Sequence, residues 1–253
     1  MDKTIISLVP NKSDEQLKAE LLLGLDIDIC NITLKNHKLG TIIKDIKLDK
    51  YNYLSTLSII EIKDILKDKF ENIKDVTVYK LSFVIPDINK WYIEFLNTFT
   101  NYNNWESNDL FGIYMVQGER ITLNEDDLDL IFKVFKKMYW IERGNKKDTI
   151  DPSMAVSEEV RQMAEEFAEL EREKNKKKKH ITLNGIIAGV CSTSHNYSFF
   201  NVENLTMYQL MTEFYVNDAH EHYNYIMSSA YVGMYDLSKT KVEDLHYCNE
   251  IDV

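Results

Sequence analysis

The chain has 253 residues, 44% of them hydrophobic, and a formal net charge of −11 at pH 7. This length and apolar content allow a sizeable core, so the chain is not a disordered tail, and the acidic charge argues against a nucleic-acid partner because phosphate backbones repel it. Only 8 glycines and 3 prolines are present, and so few turn formers favour long helices over a many-stranded sandwich or barrel.

Targeting signals and cysteines indicate the compartment. No run of about 20 apolar residues is present, and the first residues, MDKTIISLVPNKSDEQ, lack the apolar core and cleavage site of a signal peptide. The three cysteines, Cys30, Cys191 and Cys248, form no C-x-x-C pair and are typical of reduced thiols. We therefore expect a cytoplasmic protein without a membrane partner.

The N-terminal part mixes predicted strands and helices. Residues 26–34 (DIDICNITL) alternate polar and apolar side chains, which predicts a half-buried strand. Ser58 and Glu61 have the spacing of a capping box, which predicts a helix beginning there. The β-branched and aromatic residues of 76–85 (VTVYKLSFVI) predict a second strand that ends before Pro86.

A short aromatic helix and a hairpin follow. Trp91, Phe95 and Phe99 have helical spacing. In residues 111–123 (FGIYMVQGERITL), two short apolar runs flank the polar residues 117–120, which predicts a β-hairpin.

The strongest helix prediction covers Asn124 to Arg143. Asn124 suits the N-cap, and the acidic residues behind it suit the positive end of the helix dipole. This capping role also explains the acidic run, which lacks the central glycine and distal glutamate of an EF-hand loop. Gly144 is placed to end the helix. One continuous apolar face is formed by Leu128, Ile131, Phe132, Phe135, Met138 and Tyr139.

A charged connector follows the polar loop at residues 144–153. The apolar residues of the connector helix have the 4-3-4-3 spacing of a narrow stripe, namely Val156, Val160, Met163, Phe167 and Leu170. Such a stripe is typical of a coiled-coil seam or of a helix that fits one groove, but two heptads are short for a coiled coil. Packing within the chain is the simpler interpretation. We nevertheless expect Val160, Met163, Phe167 and Leu170 to be the partner-binding residues.

Helices are also predicted in the C-terminal part. Leu183, Ile186, Ile187 and Val190 share one helical face. The spacing of Thr206 and Gln209 fits a capping box at the start of a second helix. A separate last helix is predicted from its apolar residues Tyr223, Ile226 and Ala230.

The sequence gives only weak support for a metal-binding site. His220 and His222 are two residues apart on a predicted helix, so they point about 200° apart around its axis and cannot reach one ion. A zinc site that also uses Cys191 and His195 stays open as an alternative. We expect no metal and no other cofactor.

Two further patterns have simple interpretations. Ser192, Ser194 and His195 lie in a polar turn without the G-x-S-x-G sequence of a nucleophile elbow. The lysine run 176–179 follows an acidic helix, where cations complement the negative end of the dipole, and no aromatic interleaving indicates base stacking. We therefore predict no catalytic residues.

Four segments resemble a family of tail-morphogenesis proteins from tailed phages of Gram-positive bacteria. They are TLKNHKLGTIIKDIKLDKYNYLSTL (33–57), NEDDLDLIFKVFKKMYWI, DPSMAVSEEVRQMAEEFAELEREK and LTMYQLMTEF (205–214). The resemblance implies a tail-assembly-chaperone-like or minor structural protein. Such proteins coat or escort the tape-measure protein while the tail tube polymerises, so the implied role is not enzymatic.

Together these patterns predict a mainly α protein with a smaller α+β N-terminal part. The predicted units are a mixed domain at 1–144, a helical connector at 145–180 and a helical bundle at 181–253. We expect a phage assembly factor that binds a tape-measure or tail-tube protein in the host cytoplasm or in the virion, with a homo-oligomer left open. The alternatives are a regulatory protein that binds a host or defence factor, and a small metal-dependent enzyme around His195, His220 and His222.

Overall fold

The structure is a computed structural model and describes residues 12–62, 65, 76–141, 182–194, 196–231 and 246. The described chain is mainly helical, with two small antiparallel sheets in its N-terminal part and helices in its C-terminal part. This confirms the predicted fold class at that level. The predicted connector, 145–180, lies outside the described residues, and the three-unit division stays a prediction.

The chain begins with helix α1 (Asp14–Leu22) and a two-stranded hairpin of β1 (Ile27–Ile29) and β2 (Ile32–Leu34). The predicted single strand at 26–34 is therefore wrong in number, although its apolar residues are buried as its alternation predicts. Cys30 and Asn31 have φ values of 51° and 63° and form the two-residue turn. Such left-handed turns match the twist of paired strands, so the chain reverses where one strand was expected.

A helical segment follows the hairpin. Helix α2 (Leu39–Thr41) continues as a π-helical turn (Ile42–Ile46), and α3 spans Leu48–Thr56. Ser58 is buried, and its hydroxyl donates to the Ser55 carbonyl at 2.8 Å, so it closes the end of α3. Most of the helix predicted to begin at Ser58 lies at 63–64 and 66–75, outside the described residues.

The strand predicted at 76–85 is wrong, because these residues contain helix α4 (Val78–Ser82). The Thr77 hydroxyl accepts the Lys80 N–H at 3.3 Å and caps its first turn. Helix α5 (Pro86–Phe99) begins with a proline in its first turn, where the missing N–H has no partner to lose. It carries the predicted aromatic face.

The second sheet has the order β3-β4-β5, with β3 at Trp105–Asn108, β4 at Ile113–Val116 and β5 at Thr122–Leu123. The β4–β5 pairing, with Tyr114 opposite Leu123, confirms the predicted hairpin.

Helix α6 (Glu125–Met138) confirms the strongest prediction. The Asn124 side chain accepts the Asp127 N–H, and the Asp127 carboxylate accepts the Asn124 N–H, both at 3.0 Å. The helix ends before the predicted Arg143. Trp140 has a φ of 53°, so the backbone leaves the helix in the left-handed conformation before Gly144 is reached.

Two helices form the described C-terminal part. Helix α7 spans Leu183–Thr193, and a 3-10 turn (Val202–Asn204) leads to helix α8 (Met207–Tyr231). Thr206 and Gln209 form the predicted capping box, with bonds of 2.9 and 3.3 Å. The two helices predicted after Thr206 are one helix of 25 residues.

Aromatic rings dominate the core. The rings of Phe95 and Phe99 on α5 pack against Phe135 and Tyr139 at the end of α6, with centroids 4.6–5.5 Å apart. Three of these five ring pairs meet edge to face, and such contacts stabilise the core beyond simple burial. The same cluster includes residues of α7 and α8, so the C-terminal helices pack onto the N-terminal part.

Tyr139 connects distant segments through its hydroxyl. The hydroxyl donates to the Lys35 carbonyl at 2.7 Å and accepts the His37 N–H at 3.0 Å. Burial raises the pKa of Tyr139 well above its usual value. The hydroxyl therefore stays protonated and joins the chain after β2 to the end of α6.

Candidate protein-binding surface

The predicted partner-binding residues lie outside the described part of the chain. Val160, Met163, Phe167 and Leu170 fall within 142–181, as does the lysine run 176–179. Their role in binding therefore stays a prediction.

The candidate metal ligands are described in part. His220 and His222 are exposed on α8, and His220 Nε2 lies 3.2 Å from the Asn224 amide nitrogen. Cys191 lies on α7, and His195 is not among the described residues. Within the described ranges, no group of three or more His, Cys, Asp or Glu side chains could hold a metal ion.

The serines near His195 bond to the local backbone. The Ser192 hydroxyl donates to the Gly189 carbonyl at 2.8 Å, and the Ser194 hydroxyl accepts the Asn196 N–H at 3.2 Å. Both hydroxyls thus take part in ending α7 and turning the chain toward α8.

A turn between α7 and α8 presents two adjacent phenylalanines to solvent. Phe199 is 70% exposed and Phe200 is 94% exposed. We call residues 196–201 the Phe199–Phe200 turn. Exposing two large apolar side chains side by side costs solvation free energy, which makes this pair a candidate binding site.

Side-chain hydrogen bonds fix this turn. The Asn201 Oδ1 accepts the Ser198 N–H at 2.7 Å, and the Asn201 amide donates to the Asn196 carbonyl at 3.0 Å. The Phe200 N–H donates to the Ser198 hydroxyl at 3.4 Å. Asn and Ser commonly stabilise turns through such local bonds, and here they hold the backbone on both sides of the two rings.

The segment after the turn is anchored in the N-terminal part. Val202 and Leu205 are buried, and the Leu205 carbonyl accepts the Leu39 N–H at 2.8 Å. Glu203 forms an ion pair with Lys44. The Phe199–Phe200 turn is therefore attached directly to a packed scaffold.

A second exposed apolar pair lies in the N-terminal part. Leu110 and Phe111, at the turn between β3 and β4, are 93% and 75% exposed. The Phe111 N–H donates to the Asn108 carbonyl at 3.2 Å, and Gly112 has a φ of 58°. This pair is exposed to a similar extent as the phenylalanine pair and is only slightly smaller, which makes it a control for experiments on the Phe199–Phe200 turn.

Helix α8 has a packed first half and a more exposed second half. Tyr215 stacks on Trp140 with ring centroids 5.5 Å apart, and the Asn217 amide donates to the Thr193 hydroxyl at 3.1 Å. Farther along, Tyr225 and Tyr231 are exposed. The exposed large hydrophobic residues described from 182 onward are all aromatic, which is the composition that protein interfaces favour.

A cavity of about 270 Å³ lies between the end of α3 and helices α4, α5 and α6. Tyr79, Tyr92 and Phe132 line it together with the charged Asp129 and Lys133. Burial, followed by the charges of Glu125 and Asp127, raises the pKa of Tyr79 to about 12, and burial also raises that of Tyr92. Neither phenol titrates near neutral pH, so neither can serve as a base there.

The Phe199–Phe200 turn is not among the binding residues predicted from the sequence. A signal was present, because the segment NYSFFN places two phenylalanines between Asn and Ser residues that favour turns. Apolar residues in a turn cannot join a helical or strand face, so an exposed position could have been inferred.

The comparisons point to a phage protein. Residues 174–252 match the family model described as YomV second domain, which is a phage-derived family. The match covers less than a third of the chain and includes α7, the Phe199–Phe200 turn and α8. No curated protein and no solved structure gave a significant match.

The match supports the phage part of the predicted resemblance and a host-cell or virion context. The tail-morphogenesis part of the resemblance stays a prediction. Of the helices in the described ranges, none is long and apolar enough to cross a membrane.

Proposed function

We propose that this phage protein is a non-enzymatic assembly factor or minor structural protein that binds another phage structural protein. The observation that carries the proposal is the Phe199–Phe200 turn, which lies inside the segment similar to a phage domain. Phenylalanine side chains bury large apolar areas, and a backbone fixed beforehand reduces the entropy lost on binding. The partner we propose is the tape-measure or tail-tube protein, met in the host cytoplasm during tail assembly.

The test is a pull-down from infected cells with tagged full-length protein, read by mass spectrometry. The wild type should recover a tape-measure or tail-tube protein. The variant Phe199→Ala/Phe200→Ala should lose it, and the control Leu110→Ala/Phe111→Ala should keep it. Both variants remove two exposed apolar side chains from a turn, so the two folds should be equally stable.

Three results would count against the proposal. Recovery of host proteins alone would favour a regulatory protein that binds a host or defence factor. Equal recovery by the wild type and the phenylalanine variant would show that the turn is not the binding site. Loss of the partner only in the Leu110 and Phe111 variant would move the site to the N-terminal part.

A further inference from the structure

Two aromatic rings lie stacked where α3 meets α5. The ring centroids of Tyr53 and Trp91 are 4.9 Å apart, and the ring planes are 15° from parallel. The Trp91 indole N–H donates to the Tyr53 carbonyl at 3.1 Å, which fixes Trp91 against α3. Trp91 packs against the core, whereas Tyr53 is 52% exposed. An exposed tyrosine ring therefore lies on an anchored tryptophan ring.

Two carboxylates lie beside this stack. Asp87 and Glu94 are four residues before and three residues after Trp91 on α5, which places all three on one face of the helix. Partial burial raises the pKa of Tyr53, and the negative charges of Glu94 and Asp87 raise it further. No described residue forms an ion pair with either carboxylate. We call Tyr53, Trp91, Asp87 and Glu94 the Tyr53–Trp91 surface.

We propose that the Tyr53–Trp91 surface binds an arginine side chain of a partner protein. A guanidinium can lie flat on an aromatic ring while its N–H groups, which remain in the plane, donate to neighbouring carboxylates. A lysine ammonium lacks this planar fork and would satisfy the ring and the carboxylates less well. The net charge of −11 would also attract a basic segment at long range.

The test uses a short synthetic peptide with two arginines, titrated into the full-length protein and followed by NMR shifts of α3 and α5 amides. The same peptide with citrulline in place of arginine keeps the shape and removes the charge. It should bind about two- to thirtyfold more weakly, because it lacks the positive charge that the exposed ring and the two carboxylates attract.

Variants separate the ring from the charges. Tyr53→Ala should lower the affinity for the arginine peptide by about two- to fivefold, whereas Tyr53→Phe, which keeps the ring, should leave the affinity unchanged. Asp87→Asn/Glu94→Gln should lower the affinity for the arginine peptide to a similar extent. The control Asp218→Asn/Glu221→Gln removes the same charge from the exposed part of α8 and should have no comparable effect.

Equal binding of the citrulline peptide would refute the proposal, as would unchanged affinity in Tyr53→Ala. Equal weakening by the two charge variants would show only general attraction to an acidic protein. The inference does not depend on the Phe199–Phe200 turn, because Phe199→Ala/Phe200→Ala should bind the arginine peptide as the wild type does.

Discussion

Tyr139→Phe removes one oxygen atom and leaves two backbone groups without their partner. The Tyr139 side chain is 2% exposed, and its hydroxyl bonds both the Lys35 carbonyl and the His37 N–H. The ring keeps its packing against Phe99 and Phe135, so the substitution tests the hydrogen bonds with little change in apolar burial.

The expected loss follows from these two groups. A buried donor or acceptor that loses its partner costs about 1–3 kcal/mol. Lys35 and His37 are only partly buried, so water can reach them in part, and each group should cost about 1–1.5 kcal/mol, near the lower end of that range. The free energy of unfolding should therefore fall by about 2–3 kcal/mol.

Urea unfolding followed by circular dichroism measures this change. With a slope of about 2–3 kcal/mol per M, the midpoint should fall by about 1 M. Tyr215→Phe is the matched control, because the Tyr215 ring is partly exposed and stacks on Trp140. It should change stability by less than about 0.5 kcal/mol. A Tyr139→Phe protein as stable as this control would refute the reasoning.

Three further predictions concern binding and pH. Asn201→Ala removes the hydrogen bonds that fix the Phe199–Phe200 turn. Because both rings must then be ordered on binding, partner binding should weaken about tenfold, whereas the free energy of unfolding should change little. Unchanged affinity in surface plasmon resonance would contradict this. Burial lowers the pKa of His37 below 6.5, although its hydrogen bond to the Thr98 carbonyl opposes the shift. The unfolded chain therefore binds the proton more tightly, so stability should fall as pH drops through about 6.5, and His37→Gln should flatten that slope in urea unfolding at several pH values. Met163→Glu/Phe167→Glu should abolish partner binding in the pull-down and leave the protein folded. If this variant unfolds instead, the two side chains belong to the hydrophobic core and not to a binding surface.

Local signals were sufficient where they all agreed. In α6, the cap at Asn124, the acidic first turn and the apolar face point to one helix, and the structure has it. Its end depended on Trp140 adopting a positive φ, which few non-glycine residues do and which no local pattern predicts.

Local signals failed at 76–85 and in α8, where the sequence pattern suited more than one structure. At 76–85, β-branched and aromatic residues favoured a strand, but the cap at Thr77 and the packing of Tyr79 against Phe83 and Tyr114 select a short helix. The predicted break in α8 had no breaker residue to cause it, since 207–231 contains neither glycine nor proline.

The candidate site was harder to predict than the fold. Apolar residues at helical spacing identify side chains that share a helical face. Phe199 and Phe200 lie in a turn, so this spacing does not identify them. The Tyr53–Trp91 surface joins residues of two helices that are 38 positions apart, so tertiary packing alone brings them together.

Helix α8 sets a fixed length within the molecule. At a rise of 1.5 Å per residue, its 25 residues span about 37 Å from the buried Met207 to the exposed Tyr231. Residues 207–231 contain no glycine or proline, so no such hinge residue separates the far end from the end that is packed in the core. If the helix stays straight, it would hold a protein bound near Tyr231 at a set distance from the N-terminal part, and α8 would act as a helical spacer in a larger assembly.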